Sequence, residues 1–208
     1  MRLPADQRRT QLLDVARDVF AARGFHAASM DEIAEAAGVT KPVVYQHFPS
    51  KRALYVELLH DTRERLLTSL RAATGRAPTG RARVEEGFAA YFRFVTSNRS
   101  GFRLLFSASV RNDPEFAAIA EDTIETAADA ITVLIEIPVP DEQRRVLAHA
   151  LVGMSEAAGR RALADDRAEQ DPEAMARWVS ELAWFGLRGV RAGETASSAP
   201  SGPAAASR

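Results

Sequence analysis

The segment VTKPVVYQHFPSK, residues 39–51, brings together the side chains of this sequence that could do chemistry. It holds both lysines of a chain that otherwise uses arginine, and it adds Tyr45, Gln46 and His47. Such a mixture would suit a catalytic site around His47, an ordinary core segment, or a surface that contacts another macromolecule. The three alternatives differ in what must surround His47 and in which direction the segment faces.

Catalysis is the least favoured alternative. A catalytic histidine needs a nucleophile or a second ligand in reach, and locally only Tyr45 and Gln46 are available. The run GMSEA at 153–157 nearly matches the nucleophile motif G-x-S-x-G, but it lies in a helical pattern with no preceding strand. The histidines lack the spacing of metal ligands: His26, His47, His60 and His149. We therefore expect neither an enzyme nor a cofactor or metal site.

The composition of the 208 residues fits an intracellular protein with a sizeable core. Hydrophobic residues make up 46%, charged residues 26%, and the net charge of −1 gives no general attraction to nucleic acid or membranes. The absence of cysteine excludes disulfides, thiolate catalysis and cysteine-bound zinc. No run approaches the roughly 18 apolar residues that span a bilayer, and the charged N-terminus does not match a signal peptide. We expect a cytoplasmic protein without membrane contacts.

Short helices position the segment. The first carries apolar residues at three- and four-residue spacing and stops near Gly24. The second, 30–37, begins with a capping box on Ser29 and ends at Gly38, which tolerates a left-handed conformation. Thr40 can cap the third helix. The glycine-ended turn between the second and third helices predicts a helix-turn-helix.

Helical patterns continue to the end of the predicted core, so we expect an all-α fold. A long helix is predicted at 50–73 and a Gly/Pro-rich loop at 74–80. Further helices are predicted at 81–97, 100–109, 113–136, 141–164 and 171–192. The run ITVLIEI, 131–137, has strand-like β-branching, but it continues an apolar stripe and is assigned to a helix. The predicted organisation is an N-terminal domain, a C-terminal helical domain and a disordered tail: 1–52, 53–192 and 193–208.

On a helical wheel the segment separates into two faces. Val44 and Phe48 share the side that would pack on the preceding helices. The other side and its flanks carry Lys41, Pro42, Val43, Tyr45, Gln46 and His47. Glutamine can pair with adenine, valine and proline can contact a thymine methyl, and lysine, tyrosine and histidine can reach phosphates or base edges. Packing would not require this outward face, whereas the DNA major groove would accept it, with Lys51 beside the backbone.

The run FAARGFHAASMDEIAEAAGVTKPVVYQHFPSKRALY, residues 20–55, resembles the DNA-binding region of the TetR family of bacterial transcriptional regulators. The resemblance implies phosphate contacts by Ser29, Thr40, Tyr45, His47 and Lys51. It implies base contacts by Lys41, Pro42, Val43 and Gln46. Many members have glycine at position 42 and tyrosine or arginine near 46, so their operator sequences do not transfer. An acidic residue, Asp31, opens the second helix, and we assign it to the helix dipole.

The resemblance also implies a C-terminal domain that dimerises through its last two long helices. Those helices are apolar on more than one side, which fits contact with both the domain core and a second subunit. The predicted interface residues are Leu147, Leu151, Met154, Trp178, Leu182 and Phe185. A two-fold homodimer would place its helix-turn-helix units about 34–36 Å apart and would bind a palindromic operator in double-stranded DNA.

A small-molecule pocket is a further implication of the resemblance. The aromatic-rich segments after the loop supply the candidate lining: Phe88, Tyr91, Phe92, Phe102, Leu105, Phe106 and Phe116. Asn98, Arg103 or Glu125 could orient a polar group. Such a lining suits an apolar or amphipathic effector, although each aromatic residue could equally belong to the core.

Two functions of different classes remain. One is a ligand-responsive transcriptional regulator, expected to act as a repressor because bound dimers typically obstruct promoters in this family. The other is a helical enzyme or ligand carrier whose N-terminal helices only pack. The outward face of residues 41–47 favours the regulator. By resemblance, the effector would act through the long helix 50–73 and change the spacing between the two DNA-binding units.

Overall fold

The computed structural model describes residues 4–164 and 171–190, and the regular structure in these ranges is entirely helical. The helices are α1 (Ala5–Ala27), α2 (Met30–Ala36), α3 (Lys41–His47), α4 (Lys51–Arg76), α5 (Gly80–Ser97), α6 (Arg99–Leu105), α7 (Ala108–Arg111), α8 (Pro114–Thr132), α9 (Asp141–Leu163) and α10 (Pro172–Gly189). The predicted all-α fold is therefore confirmed. The predicted tail, 193–208, lies outside the described residues.

Local signals explain the N-terminal helices. The capping box at the start of α2 is present, with Ser29 and Glu32 satisfying each other's amide groups. Gly38 has φ 64°, the left-handed conformation expected after α2. Gly24 interrupts α1 with φ 78° and ψ 163°, a conformation that a side chain would strain. Thr40 is the N-cap residue of α3 as predicted, but its side chain makes no capping hydrogen bond.

Several predicted boundaries move, and the helix predicted at 100–109 divides into α6 and α7. The long helix α4 continues to Arg76, and α5 begins at Gly80 where Thr79 accepts the amide of Ala82, so the loop is shorter than predicted. Helix α8 ends at Thr132, and most of the 131–137 run lies outside it. The assignment of that run to a helix is therefore wrong. Its β-branched residues are poor helix formers, and the nearby Pro138 disfavours a helical conformation in the residue before it.

The first core joins the N-terminal helices to α6, α7 and α8 in one cluster of buried residues. The ring of Phe116, on α8, lies 4.7 Å from that of Tyr55 on α4 and 5.0 Å from that of Phe25 on α1, centroid to centroid. The ring of Phe20 meets Tyr55 edge-on at 5.0 Å. Tilted and edge-on ring pairs stabilise beyond the burial of their surface. The helix-turn-helix is therefore bound to α8 by a shared aromatic centre.

A second core fills the C-terminal part of the molecule. Helix α5 packs against α4 and α10, while α8 packs against α9. Aromatic residues of α5 and α6 occupy this core: Phe88, Tyr91, Phe92, Phe94 and Phe102. None of the helices in the described ranges is long and apolar enough to cross a lipid bilayer.

Candidate functional site

Helix α3 presents its predicted outward face to solvent. Val44 and Phe48 are buried in the first core, which confirms their predicted role as anchors. The remaining side chains are exposed or half-buried: Lys41, Pro42, Val43, Tyr45, Gln46 and His47. Tyr45 stands out as a large ring that is 44% exposed. The face is therefore open to a macromolecule, and the alternative of an ordinary core segment fails for this side of α3.

The Ser29 hydroxyl is already used by the fold. Its oxygen accepts the amide of Glu32 at 3.2 Å and donates to the Glu32 carboxylate at 3.1 Å. That carboxylate also accepts the Ser29 amide at 2.9 Å. Phosphate contact by Ser29 would have to be shared with this capping box.

An ion pair joins α2 and α3 beside the outward face. The Lys41 ammonium donates to Asp31 Oδ2 at 2.8 Å, and both side chains are exposed. The hydrogen bond to Asp31 raises the pKa of Lys41, and the carboxylate charge raises it further. The sequence suggests only that Asp31 interacts with the dipole of its own helix. The structure adds an ion-pair partner on the next helix.

Lys51 is directed towards the turn between α1 and α2. Its ammonium donates to the carbonyl oxygens of His26 at 3.1 Å and Ala28 at 2.8 Å, and it lies 4.8 Å from the centroid of the Phe25 ring. An ammonium has three N–H donors, and two are engaged here. Lys51 thus holds the turn before α2, and phosphate contact remains a prediction for its remaining donor.

Arg52 ties the start of α4 to the start of α8. It donates twice to the Asp113 carboxylate, at 2.8 Å each, and once to Glu115 at 2.6 Å. Its guanidinium also lies 4.7 Å from the centroid of the Phe116 ring. The hydrogen bonds from Arg52 lower the pKa of Asp113, which also caps α8. The residues that directly follow the helix-turn-helix are therefore attached to α8 by charge as well as by packing.

A cavity of about 370 Å³ lies in the C-terminal part of the molecule. Its volume falls in the range of small-molecule sites. Aliphatic side chains are the largest group in its lining, and most of them come from α4, α8, α9 and the segment after α8, among them Leu66, Leu67, Leu70, Ile124, Ile131, Leu134, Ile135, Leu151 and Val152. Charged groups also border it, including Arg83, which donates to Glu136 at 2.6 Å.

Only some of the residues predicted to line a pocket line this cavity. Phe88, Tyr91 and Phe106 line it. The other predicted residues are buried core residues outside its lining: Phe92, Phe102, Leu105 and Phe116. The predicted polar groups have other partners, since Asn98 donates to Phe94 O, Arg103 to Leu163 O, and Glu125 contacts His149. The aliphatic lining was missed because such residues are common in every helix of the chain.

Tyr91 lines this cavity, and its buried hydroxyl has no hydrogen-bond partner. Its side chain is buried, and burial raises the pKa of the hydroxyl, with the charge of Glu156 raising it further. Gly159 of α9 makes the necessary room, because a Cβ there would lie 2.9 Å from the hydroxyl oxygen. The hydroxyl is therefore a neutral, unpaired group packed against α9 beside the cavity.

Tyr91→Phe is expected to increase the free energy of unfolding by about 1 kcal/mol, because a buried unpaired hydroxyl opposes folding. The matched control is Tyr55→Phe, since the buried Tyr55 hydroxyl is hydrogen-bonded to Ser107. That control is expected to lose about 1 kcal/mol. Urea denaturation of the two variants at equal protein concentration measures both changes. Equal losses of stability would contradict the assignment of an unpaired hydroxyl to Tyr91.

The outer sides of α9 and α10 form an apolar face. Trp178, Leu182 and Phe185 of α10 are 68%, 65% and 64% exposed. Helix α9, which contacts α10, exposes a row of small residues and one valine: Val146, Ala150, Gly153 and Ala157. The predicted interface residues of α9 lie further in, half-buried against the protein's own core: Leu147, Leu151 and Met154. We define the apolar face by Val146, Ala150, Gly153, Ala157, Trp178, Leu182 and Phe185.

Two family models match separate parts of the chain. Residues 12–58 match the model described as bacterial regulatory proteins, tetR family. Residues 81–186 match the model described as tetracyclin repressor-like, C-terminal domain. The first match includes α2, α3 and the start of α4, and the second covers the cavity helices α5, α8 and α9 with most of α10.

Similar proteins cover nearly the whole chain. The HTH-type transcriptional activator FasR of Mycolicibacterium smegmatis is 38% identical over 191 residues, which span 91% of this chain and 87% of that protein. The HTH-type transcriptional repressor KstR2 of Rhodococcus jostii is 29% identical over 188 residues, 89% of this chain and 81% of that protein. A crystal structure of a TetR-like transcriptional regulator from Rhodococcus sp. RHA1 has a TM-score of 0.76 at 29% identity, covering 91% of this chain and 100% of that chain.

Proposed function

This chain belongs to the TetR family of bacterial transcriptional regulators, which are not enzymes, and from that premise we propose that it binds a palindromic operator as a ligand-responsive dimer. The observation that carries the proposal is the solvent-exposed face of α3 above the buried anchors Val44 and Phe48. An isolated helix with one anchored side and one open side fits the major groove. We name α3 the recognition helix.

In the proposed complex, phosphate contacts come from the residues around the recognition helix: Ser29, Thr40, Tyr45, His47 and Lys51. Base contacts come from Lys41, Pro42, Val43 and Gln46. Phosphates fix the register of the protein on the duplex, and base edges supply the sequence preference. Binding to DNA fragments that contain the inverted repeat nearest the gene, measured by fluorescence anisotropy at several salt concentrations, tests this proposal. Affinity should fall steeply with salt because phosphate contacts release counterions.

Gln46→Ala is expected to relax the preference at one base position in each half-site by roughly fivefold or more, because a bidentate pair with adenine is lost. Lys51→Ala is the contrast, and it should weaken binding to all sequences by a similar factor. The difference is measured by letting operator fragments with single-base changes compete with the original operator for binding to each variant. Gln46 would be excluded from base contact if its variant kept the wild-type order of preference.

The proposed dimer forms through the apolar face. Large side chains are exposed on α10 and small ones on α9, which contacts it, so a second copy related by a two-fold axis could insert its Trp178, Leu182 and Phe185 over the small residues. Exposed aromatic and leucine side chains in one patch are typical of protein interfaces. The resulting pair of recognition helices would meet successive turns of one side of the duplex.

The proposed effector is a small apolar or amphipathic molecule in the 370 Å³ cavity. The aliphatic lining favours an apolar body, and the charged groups at the border of the cavity, such as Arg83 and Glu136, favour a polar group at one end of it. Helix α8 supports a route for the signal, since its later turns line the cavity and its first residues bind Arg52 at the start of α4. A ligand that prefers one arrangement of α8 would then change the position of the recognition helix.

The direction of regulation has two candidates. Repression follows if the operator overlaps the promoter, because a bound dimer then obstructs the polymerase. Activation is the second candidate, favoured by the 38% identity to a protein described as an activator over 87% of its length. Transcription in vitro from the chain's own target promoter, with and without the protein, distinguishes an increase in transcript from a decrease.

A further inference from the structure

The ion pair between Asp31 and Lys41 lies where DNA would enter. Asp31 belongs to the first turn of α2, and Lys41 is the first residue of the recognition helix. The pair therefore spans the two helices of the helix-turn-helix at an exposed position next to Pro42. Exposed ion pairs contribute little to stability, so removing either partner should cost the fold little.

An exposed carboxylate at this position must find a donor on the DNA. Phosphates repel it, and they surround the major groove on both sides. Within the groove the only hydrogen-bond donors are the amino groups of cytosine and adenine. An ammonium has the opposite requirement, and guanine offers it two neighbouring acceptors, O6 and N7. Thymine offers one acceptor with a methyl group beside it, so guanine is the better partner for Lys41.

The spacing of the pair matches one base pair. The Lys41 nitrogen and the Asp31 oxygen are 2.8 Å apart. Cytosine N4 and guanine O6 are hydrogen-bonded to each other in the base pair, so they are also about 2.9 Å apart. Adenine N6 and thymine O4 have the same spacing, so the preference for G·C rests on the two acceptors of guanine. Cytosine N4 and guanine O6 each retain one unused site in the major groove, a second N–H on N4 and a second lone pair on O6. The protein pair and the base pair can therefore meet side by side, each donor facing an acceptor.

We propose that Asp31 and Lys41 act as one unit that selects a G·C base pair in each half-site of the operator. Asp31 accepts from cytosine N4, and Lys41 donates to guanine O6 and N7. The inference rests on the proposed DNA-binding function and extends it, because it makes an acidic residue outside the recognition helix a determinant of specificity. Since the unit carries no net charge, it adds selectivity without adding attraction to DNA of any other sequence.

Selection of binding sites from a random DNA pool tests the proposal with the full-length chain. The wild-type protein should prefer G·C at one position of each half-site by roughly tenfold or more. Asp31→Ala should reduce that preference to less than about threefold and should raise the affinity for other sequences. The matched control is Glu35→Ala, which removes the same charge from an exposed position of the same helix. It should retain the full G·C preference.

The outcomes separate the inference from the function it rests on. If Asp31→Ala and Glu35→Ala gain affinity alike and keep one common base preference, Asp31 acts only through its charge and the proposal is overturned. Selection of a T·A pair at this position would also overturn it. If the wild-type protein enriches no sequence at all, the proposed operator binding fails, and the inference fails with it. Asp31→Leu, which has a side chain of similar size without a hydrogen-bond acceptor, repeats the measurement with the same expected loss of preference should the alanine variant fold poorly.

Discussion

Leu182→Glu is expected to convert the proposed dimer into a monomer and to lower operator affinity by at least about 100-fold, because two linked recognition helices bind far more tightly than one. Leu182 is 65% exposed at the middle of the α10 row, between Trp178 and Phe185. A carboxylate there would be buried without a partner in the dimer but would remain hydrated in the monomer. Sedimentation velocity measures the change of mass, and fluorescence anisotropy measures the loss of affinity.

Val133→Glu is the matched control for this change. Val133 is even more exposed, at 77%, but it follows α8 and is not part of the apolar face. The control variant should stay dimeric and keep its operator affinity, so a general effect of an added surface charge is separated from loss of the interface. A Leu182→Glu protein that sediments as the wild type does would show that the subunits meet elsewhere.

Phe116→Ala is expected to lower the free energy of unfolding by about 3–5 kcal/mol and to loosen the helix-turn-helix before the rest of the molecule. The Phe116 ring is 1% exposed and fills the space between Phe25 of α1 and Tyr55 of α4. Its removal would leave a cavity where the N-terminal helices meet α8. Urea denaturation measures the loss of stability, and hydrogen exchange of the α1 and α2 amides measures where it acts.

Phe92→Ala provides a control of the same size and burial in the second core. It should lose a similar amount of stability, yet leave exchange in α1 and α2 close to the wild-type pattern at matched global stability. If both variants speed exchange in α1 and α2 equally, the aromatic centre does not specifically join the helix-turn-helix to α8.

The helix-turn-helix could be predicted because its signals are local. The capping box of Ser29 and Glu32, the left-handed Gly38 and the apolar pair Val44 and Phe48 all act within a few residues of one another. Each of these local signals favours the same structure, and tertiary packing does not oppose any of them. The 131–137 run is the opposite case, because apolar periodicity and β-branching disagree there and the chain leaves the helix.

The cavity and the contacts of the lysines could not be predicted in the same way. A cavity is a space left between helices, and its walls combine residues as distant as Leu66 and Trp184. The aromatic residues that attract attention in the sequence are mostly where packing is closest, as with Phe92 and Phe102. The partners of Lys41 and Lys51 lie on other helices or turns, and no spacing rule connects them. The division into domains at residues 52 and 53 remains a prediction.

The aromatic centre around Phe116 has a consequence for protein engineering. Residues 1–52 are the segment that would be exchanged to direct the regulator to a new promoter. Here such a transplant would separate Phe20 and Phe25 from Tyr55 and Phe116, and would detach Arg52 from Asp113. A chimera should therefore also take the α6–α8 surface from the protein that donates the helix-turn-helix, or the recipient should already have matching side chains there. Otherwise the new helix-turn-helix would lose its connection to the helices that form the cavity.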